Sequence, residues 1–303
     1  MLYLTCRLDG SKIYDPRQKE GAGSLLQFIV VSYLVSLRYK VAYHYTPIIN
    51  IGHRETFNVS QEEWDSAWNE YIRSSFVKSS DPGVVDLEVL TTISSLPVEL
   101  QRFMDDTRSI LINLDWRELK KHLDQDISLL LTARESLLET YTISPGTPKT
   151  YFDSTKRNIS IHIRRYSATD CDPNPCRELY QPGSEISDYF MDLVKGLLAS
   201  SKDSLSIHIH SQGSRDDFAE FVKLDPTIVQ LHIDEHPITT LHHLIISDVL
   251  VMSKSSFSLI ANYYSQGTSI LRPGFWHQVH PDTVIINQSD KCRLTELLKE
   301  ILN

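Results

Sequence analysis

The chain has 303 residues, 41% of them hydrophobic and 23% charged, an ordinary globular composition that excludes collagen-like, coiled-coil and disordered classes. That length suits two domains of ~150 residues or one large α/β unit, and it can bury a core without disulfide staples. A net charge of −9 leaves no general basic footprint, so no nucleic-acid partner is expected and an anionic ligand needs a local site.

Leu2 to Cys6 reads as a short strand, and a polar loop runs from Arg7 to Gly23. The apolar run Ser24–Leu37 is broken by Gln27, Ser32 and Ser36. It falls short of the ~20 residues that span a membrane, so it is expected to be a buried helix and no integral membrane segment is expected. Val41 to Tyr45 is a second strand by its alternation. Gln61 to Phe76 carries Trp64, Trp68 and Ile72 at spacing four, an amphipathic helix. Trp116 to Thr140 reads as one long helix. Thr142 to Lys149, with two prolines and a glycine, reads as a linker between domains 1–145 and 150–303.

After the linker, strand and helix alternate. Strands are expected at Ile159–Arg164, Leu205–His210, Ile228–Ile233, Val249–Met252, Thr268–Leu271 and Val284–Ile286. Helices are expected at Ile186–Leu198, Asp216–Val222, Thr239–Ile246, Ser256–Tyr264 and Arg293–Leu302. This is the doubly wound pattern, in which ligands lie outside the carboxyl ends of the strands.

Three segments carry candidate chemistry. In Ile159-Ser-Ile-His-Ile-Arg-Arg165, His162 and Arg164 share a strand face and Arg165 leaves at the strand end. Two guanidinium groups there suit a diphosphate; solvated arginines on an edge strand are the alternative. In Ser247 to Ser258 a strand runs into Ser253-Lys-Ser-Ser-Phe257 and a helix. A helix start lined with hydroxyls favours an anion, and serine is equally the usual cap. Gly21 and Gly23 precede the apolar helix, where they let a ligand approach the backbone. They do not complete a dinucleotide fingerprint, because Leu26 stands at its third glycine.

His162-Ile-Arg-Arg165 followed by the segment Ser247–Ser258 resembles the fucosyltransferase superfamily, the α1,2-, α1,6- and protein O-fucosyltransferases. The resemblance implies a GT-B α/β fold, two Rossmann-like domains facing across a cleft. It implies an inverting, metal-independent glycosyltransferase that moves a sugar from a nucleotide-sugar donor to a hydroxyl of an oligosaccharide or glycoprotein acceptor. GDP-fucose is the first donor expected and UDP-xylose the second, with no further cofactor. Carried over, His162 sits beside the base or ribose, Arg164 binds the diphosphate and Arg165 positions the donor. Ser255 and Ser256 contact the phosphates, and Phe257, with Gly21 and Gly23 of the acceptor-side domain, completes the donor-binding set. Asp170 and Asp15 are candidate bases for the acceptor hydroxyl. Some α1,6-type members place a guanine-reading aspartate where this chain has Thr240; Asp234 and Glu235 are the nearest carboxylates. No secretory leader follows Met1, so a cytoplasmic enzyme of a bacterium or virus-infected cell is expected.

Several rival constellations are weaker. Asp124 and Asp126 diverge by ~200° around a helix axis. Asp170-Cys-Asp172 sits in a proline-rich loop that could hold a hard cation. Cys171 and Cys176 read as a loop thiol pair or a local disulfide. Nine of the twelve histidines follow the linker, where a zinc site is a lesser alternative to imidazoles near a nucleotide or bonded to backbone. From other classes, a non-catalytic nucleotide-sugar or glycan-binding module and a phosphate-ester enzyme would use the same arginines.

Overall fold

The computed structural model describes residues 1–10, 20–54, 57–119, 127–142, 147–165, 180–201, 204–287 and 291–302. The chain divides into two compact units, Met1–Thr147 and Pro148–Asn303. Each is built on one parallel sheet.

In the first unit, strands β1 (Leu2–Thr5), β2 (Ala42–Tyr43), β3 (Leu87–Thr91) and β4 (Ile110–Leu114) pair in the order β2-β1-β4-β3. Neither β3 nor β4 is expected from the sequence. β4 lies between two partners and is nearly buried throughout, so it lacks the alternation that marks a half-exposed strand. Helix α1 (Ala22–Tyr39) extends two residues beyond each predicted end, closing on Lys40 in the left-handed conformation (φ 54°). By length and hydropathy it could cross a membrane, and 78% of it is buried inside the fold. Helix α2 (Gln61–Ser75) opens with a capping box: Ser60 Oγ accepts from Glu63 N–H and Glu63 accepts from Ser60 N–H. Its Trp64, Trp68 and Ile72 are buried, as the spacing requires. Helices α3 (Leu96–Arg102) and α4 (Ile127–Thr142) complete the unit. The predicted long helix begins at Trp116 and is helical again from Ile127; Asp124 and Asp126 lie outside the described residues.

The second unit has strands β5 (Arg157–His162), β6 (Leu205–Ser211), β7 (Val229–Ile233), β8 (Val249–Met252), β9 (Thr268–Leu271) and β10 (Val284–Ile285). Their order, β10-β9-β8-β5-β6-β7, read by appearance, is the 3-2-1-4-5-6 sheet of dinucleotide-binding folds. The helices are α5 (Glu185–Ser201), α6 (Ala219–Leu224), α7 (Pro237–Ile246), α8 (Ser256–Tyr264) and α9 (Lys291–Leu302). The predicted helix at Asp216 begins instead as a 3-10 turn, Arg215–Phe218.

One sheet face carries Ile159, Ile161, Ile207, Ile209, Val249 and Val251 and packs on α5, α6 and α9. By alternation, the other face carries Ser160 and His162 on β5, Ser206, His208 and His210 on β6, and His232 on β7. The order reverses between β5 and β8, and the crevice outside their carboxyl ends is where such sheets bind ligands.

Candidate functional site

The sequence places a serine-rich turn after β8 and two arginines after β5; the fold brings them together. β5 ends at His162, one turn of the ladder earlier than expected. Ile163 N–H still donates to His210 O (2.9 Å), but Arg164 N–H turns to Ser253 Oγ (2.8 Å). Ser253 Oγ donates in turn to His162 O (2.6 Å). One buried hydroxyl thus satisfies both sides of the junction and ties β5 to β8 at the switch point. Arg164 therefore leaves the strand face that holds His162.

Arg164 instead lines a shallow recess, open to solvent, together with Tyr189, Ser253, Lys254 and Arg272. These cations come from the ends of β5, β8 and β9, three adjacent strands. No acidic side chain is among the described residues lining the recess. Arg272 is held from behind. Its Nη2 donates to Glu185 (2.6 Å), and its guanidinium lies 5.8 Å above the Tyr189 ring. The ion pair is formed by a half-buried arginine and a largely exposed glutamate, so it orients the guanidinium more than it stabilises the fold. Three cations lining one recess at the carboxyl ends of adjacent parallel strands have the chemistry to hold a multiply charged anion. Sequence reasoning missed Arg272 as a site residue. A single arginine after a short strand carries no pattern, and only the strand order brings it beside Arg164.

The other predicted residues take several places. His162 is buried, its Nδ1 2.5 Å from Ser258 Oγ and its ring packed 5.5 Å from Phe257. Burial, with Arg164 and His210 nearby, pushes its pKa down to about 3, so it is a neutral ring joining β5 to α8. Ser255 caps α8, its hydroxyl accepting from Phe257 N–H (3.2 Å); Ser256 opens the helix. Arg165 points away from Arg164 along the β6 end: it pairs with Asp217 and lies 5.8 Å over the Phe218 ring. Gly21 caps α1 in the first unit, and a Cβ there would lie 2.4 Å from the His53 ring. Gly23 is buried as the second residue of that helix. Asp15, Asp170, Asp172, Cys171 and Cys176 lie outside the described residues.

The polar face of β6 and β7 holds a second cluster. The Tyr151 ring is parallel to His243 (3.5 Å, 8°) and to His232 (4.4 Å, 7°). His208 Nδ1 and His232 Nε2 are 3.1 Å apart. Tyr151 Oη donates to Glu235 Oε2 (3.2 Å), as does Thr240 Oγ1 (3.4 Å). Glu235 also lies 3.6 Å from His210 and 3.7 Å from His232. Burial and the neighbouring imidazoles push His208 down to about 3, and burial foremost pushes His210 to about 4. Burial opposes ionisation of Glu235, yet His210 and His232 hold its pKa well below the carboxylate range. Asp234, at φ 55°, accepts from Gly213 N–H (3.1 Å). Among the described residues no group of three or more His, Cys, Asp or Glu has the arrangement to hold a metal ion.

No protein-family model matches the chain, and a search of curated proteins finds no match. Among solved structures it is similar to the E. coli heptosyltransferase WaaC with ADP, at 11% identity and a TM-score of 0.48, over 99% of this chain and 100% of that one. It is similar to WaaG, a glycosyltransferase involved in lipopolysaccharide biosynthesis, at 13% identity and 0.35, over 99% and 90%. It is similar to POFUT1 in complex with GDP at 10% identity and 0.41, over 89% and 97%. The chain is a mixed α/β protein of two parallel-sheet units, and glycosyltransferases are among its structural neighbours.

Proposed function

We propose that the chain is a glycosyltransferase that holds the diphosphate of a nucleotide-sugar donor in the recess of its second unit. The observation that carries this reading is the convergence of Arg164, Lys254 and Arg272 at the switch point of a 3-2-1-4-5-6 sheet. In transfer with inversion, an acceptor hydroxyl of a glycan or glycoprotein attacks the anomeric carbon from the face opposite the nucleotide. The new C–O bond forms as the anomeric C–O bond to phosphate breaks, and the diphosphate leaves with the electron pair. The hydroxyl proton passes to a base, for which Asp170 is the proposed residue, or to the departing phosphate. Charge grows on the diphosphate in the transition state, and fixed cations stabilise it there without reorganising. Three side-chain cations supply that charge themselves, which supports transfer without a metal.

GDP-fucose is the donor proposed first, on the resemblance of His162 to Arg165 and Ser247 to Ser258 to fucosyltransferases. One observation favours a UDP-linked sugar such as UDP-xylose: the nearest carboxylates for a guanine edge, Asp234 and Glu235, already accept from Gly213, Tyr151 and Thr240. Calorimetric titration with GDP and UDP tests both statements. Tighter binding of either one, weakened at least tenfold by Arg164→Ala and by Arg272→Ala, supports the diphosphate site and names the base. Equal affinity in wild type and both variants overturns it.

A further inference from the structure

The segment after β9, Arg272-Pro-Gly-Phe-Trp-His277, leaves the sheet at the edge of the cationic recess. Gly274 takes φ 82°, and a Cβ built on it would lie 3.3 Å from Lys254 Nζ. The backbone therefore passes directly beside that ammonium group. Trp276 follows two residues later, within ~7 Å of Gly274 along the chain. The residue is 43% exposed, while Trp64 and Trp68 are buried in the first unit. Trp276 packs edge-on against Phe275 (4.9 Å, 65°) and beside His277 (5.8 Å, 54°), and the residue stays partly in solvent.

The loop is braced to hold it there. Tyr263 Oη donates to Gln278 O (3.2 Å). His280 N–H donates to Asn262 Oδ1 (2.9 Å), and Asn262 Nδ2 donates to Thr283 Oγ1 (3.0 Å). Asn262 and Tyr263 are buried on α8, the helix that starts beside the recess. A ring on a loop braced by a buried hydrogen-bond frame would lose little freedom when a ligand docks on it.

We propose that Trp276 is a carbohydrate-stacking residue whose exposed indole face receives the apolar face of a pyranose ring. The electron-rich indole face complements the weakly positive C–H groups that a pyranose presents on one side. Its position selects the sugar over the base. In a sheet of this order the nucleoside ribose is met at the end of the second strand, here β6. The far end of a diphosphate at Arg164 then points over β8 and β9, toward Trp276. This rests on the diphosphate reading of the recess. The pyranose is either the donor sugar or a residue of the acceptor.

Wild type, Trp276→Ala and Trp276→Tyr are titrated with GDP, UDP, GDP-fucose and UDP-xylose. All three are also examined by saturation-transfer NMR with methyl glycosides of fucose, galactose, xylose and N-acetylglucosamine. An unchanged melting midpoint controls for folding. If the ring meets the donor sugar, Trp276→Ala leaves the affinity for the free nucleotide within twofold and weakens the nucleotide sugar at least fivefold, and Trp276→Tyr restores most of it. If it meets the acceptor, the nucleotide sugars are unaffected while a glycoside signal seen in wild type disappears in Trp276→Ala and returns in Trp276→Tyr. Nucleotide binding with neither change overturns the stacking role. Absence of all nucleotide binding with a glycoside signal that depends on Trp276 overturns the diphosphate reading and leaves the stacking role standing. Absence of nucleotide binding and of any glycoside signal that depends on Trp276 overturns both.

Discussion

Arg164 and Arg165 are neighbours in sequence with different tasks in space. Arg164 lines the recess, so Arg164→Ala is expected to cost ~2–4 kcal/mol of transition-state stabilisation, read as a 30- to 1,000-fold fall in kcat/KM, with the melting midpoint little changed. Arg164→Lys is expected to rescue poorly, because an ammonium cannot present the paired fork of a guanidinium. Arg165 is paired with Asp217 and stacked over Phe218. Arg165→Ala is therefore expected to lower the melting temperature and to weaken pyrophosphate binding less than Arg164→Ala does. Calorimetry and thermal melts on the two variants side by side check this. Spacing alone could not separate the two arginines, because the sequence predicts a strand through Arg164 and the ladder stops at His162. Lys254 sits inside a motif legible in the sequence, whereas Arg272 becomes visible only once β9 is placed next to β8.

The elements that position the site are tied by serines. Ser253 accepts from Arg164 N–H and donates to His162 O in a buried setting. Ser253→Ala would strand a buried donor, which costs ~1–3 kcal/mol. A lower urea midpoint is expected, together with weaker pyrophosphate binding, since the Arg164 backbone loses its anchor. An unchanged midpoint would show that the hydroxyl does not hold the junction. The doubly wound unit was legible nearly element by element, because its strands are β-branched and flanked by amphipathic helices. The first unit was not. β4 is a short apolar run buried in the centre of its sheet and shows no period; β3 alternates in burial, but Leu87-Glu-Val-Leu-Thr91 is too short and mixed to stand out in the sequence. The tryptophan spacing of α2 was readable because it is a local signal, whereas the capping box at Ser60 emerged only with the structure.

Across the whole molecule, buried neutral imidazoles set the acid limit. His162, His208, His210 and His242 all have folded pKa values pushed to about 3 or 4, chiefly by burial. An unfolded histidine takes up its proton near 6.5. Between those values the unfolded state binds more protons, so stability is fully present above pH ~6.5 and falls as the pH drops below it. Each site contributes a slope of up to ~1.4 kcal/mol per pH unit. Melting midpoints recorded from pH 7.5 to 5 are expected to fall steeply, and His210→Gln is expected to flatten the slope. Transfer activity is expected to persist in excess EDTA, because the recess brings its own three cations; full loss restored by Mn²⁺ would instead give the diphosphate charge to a metal.

The stack of Tyr151 on His232 and His243 has a practical bearing on dissecting the chain. Tyr151 and Phe152 precede the first strand of the second unit, yet they roof the imidazole-bearing side of β6 and β7. A fragment cut at Asp153 would keep every strand and helix of that unit and still expose a wall of aromatic nitrogen rings with nothing stacked on them. A fragment begun at Pro148, where the contacts divide, carries its own roof. The shorter piece is expected to bind the dye ANS and melt without a sharp transition, and the longer one to behave as a cooperative domain, a difference of five residues that no strand or helix boundary would suggest.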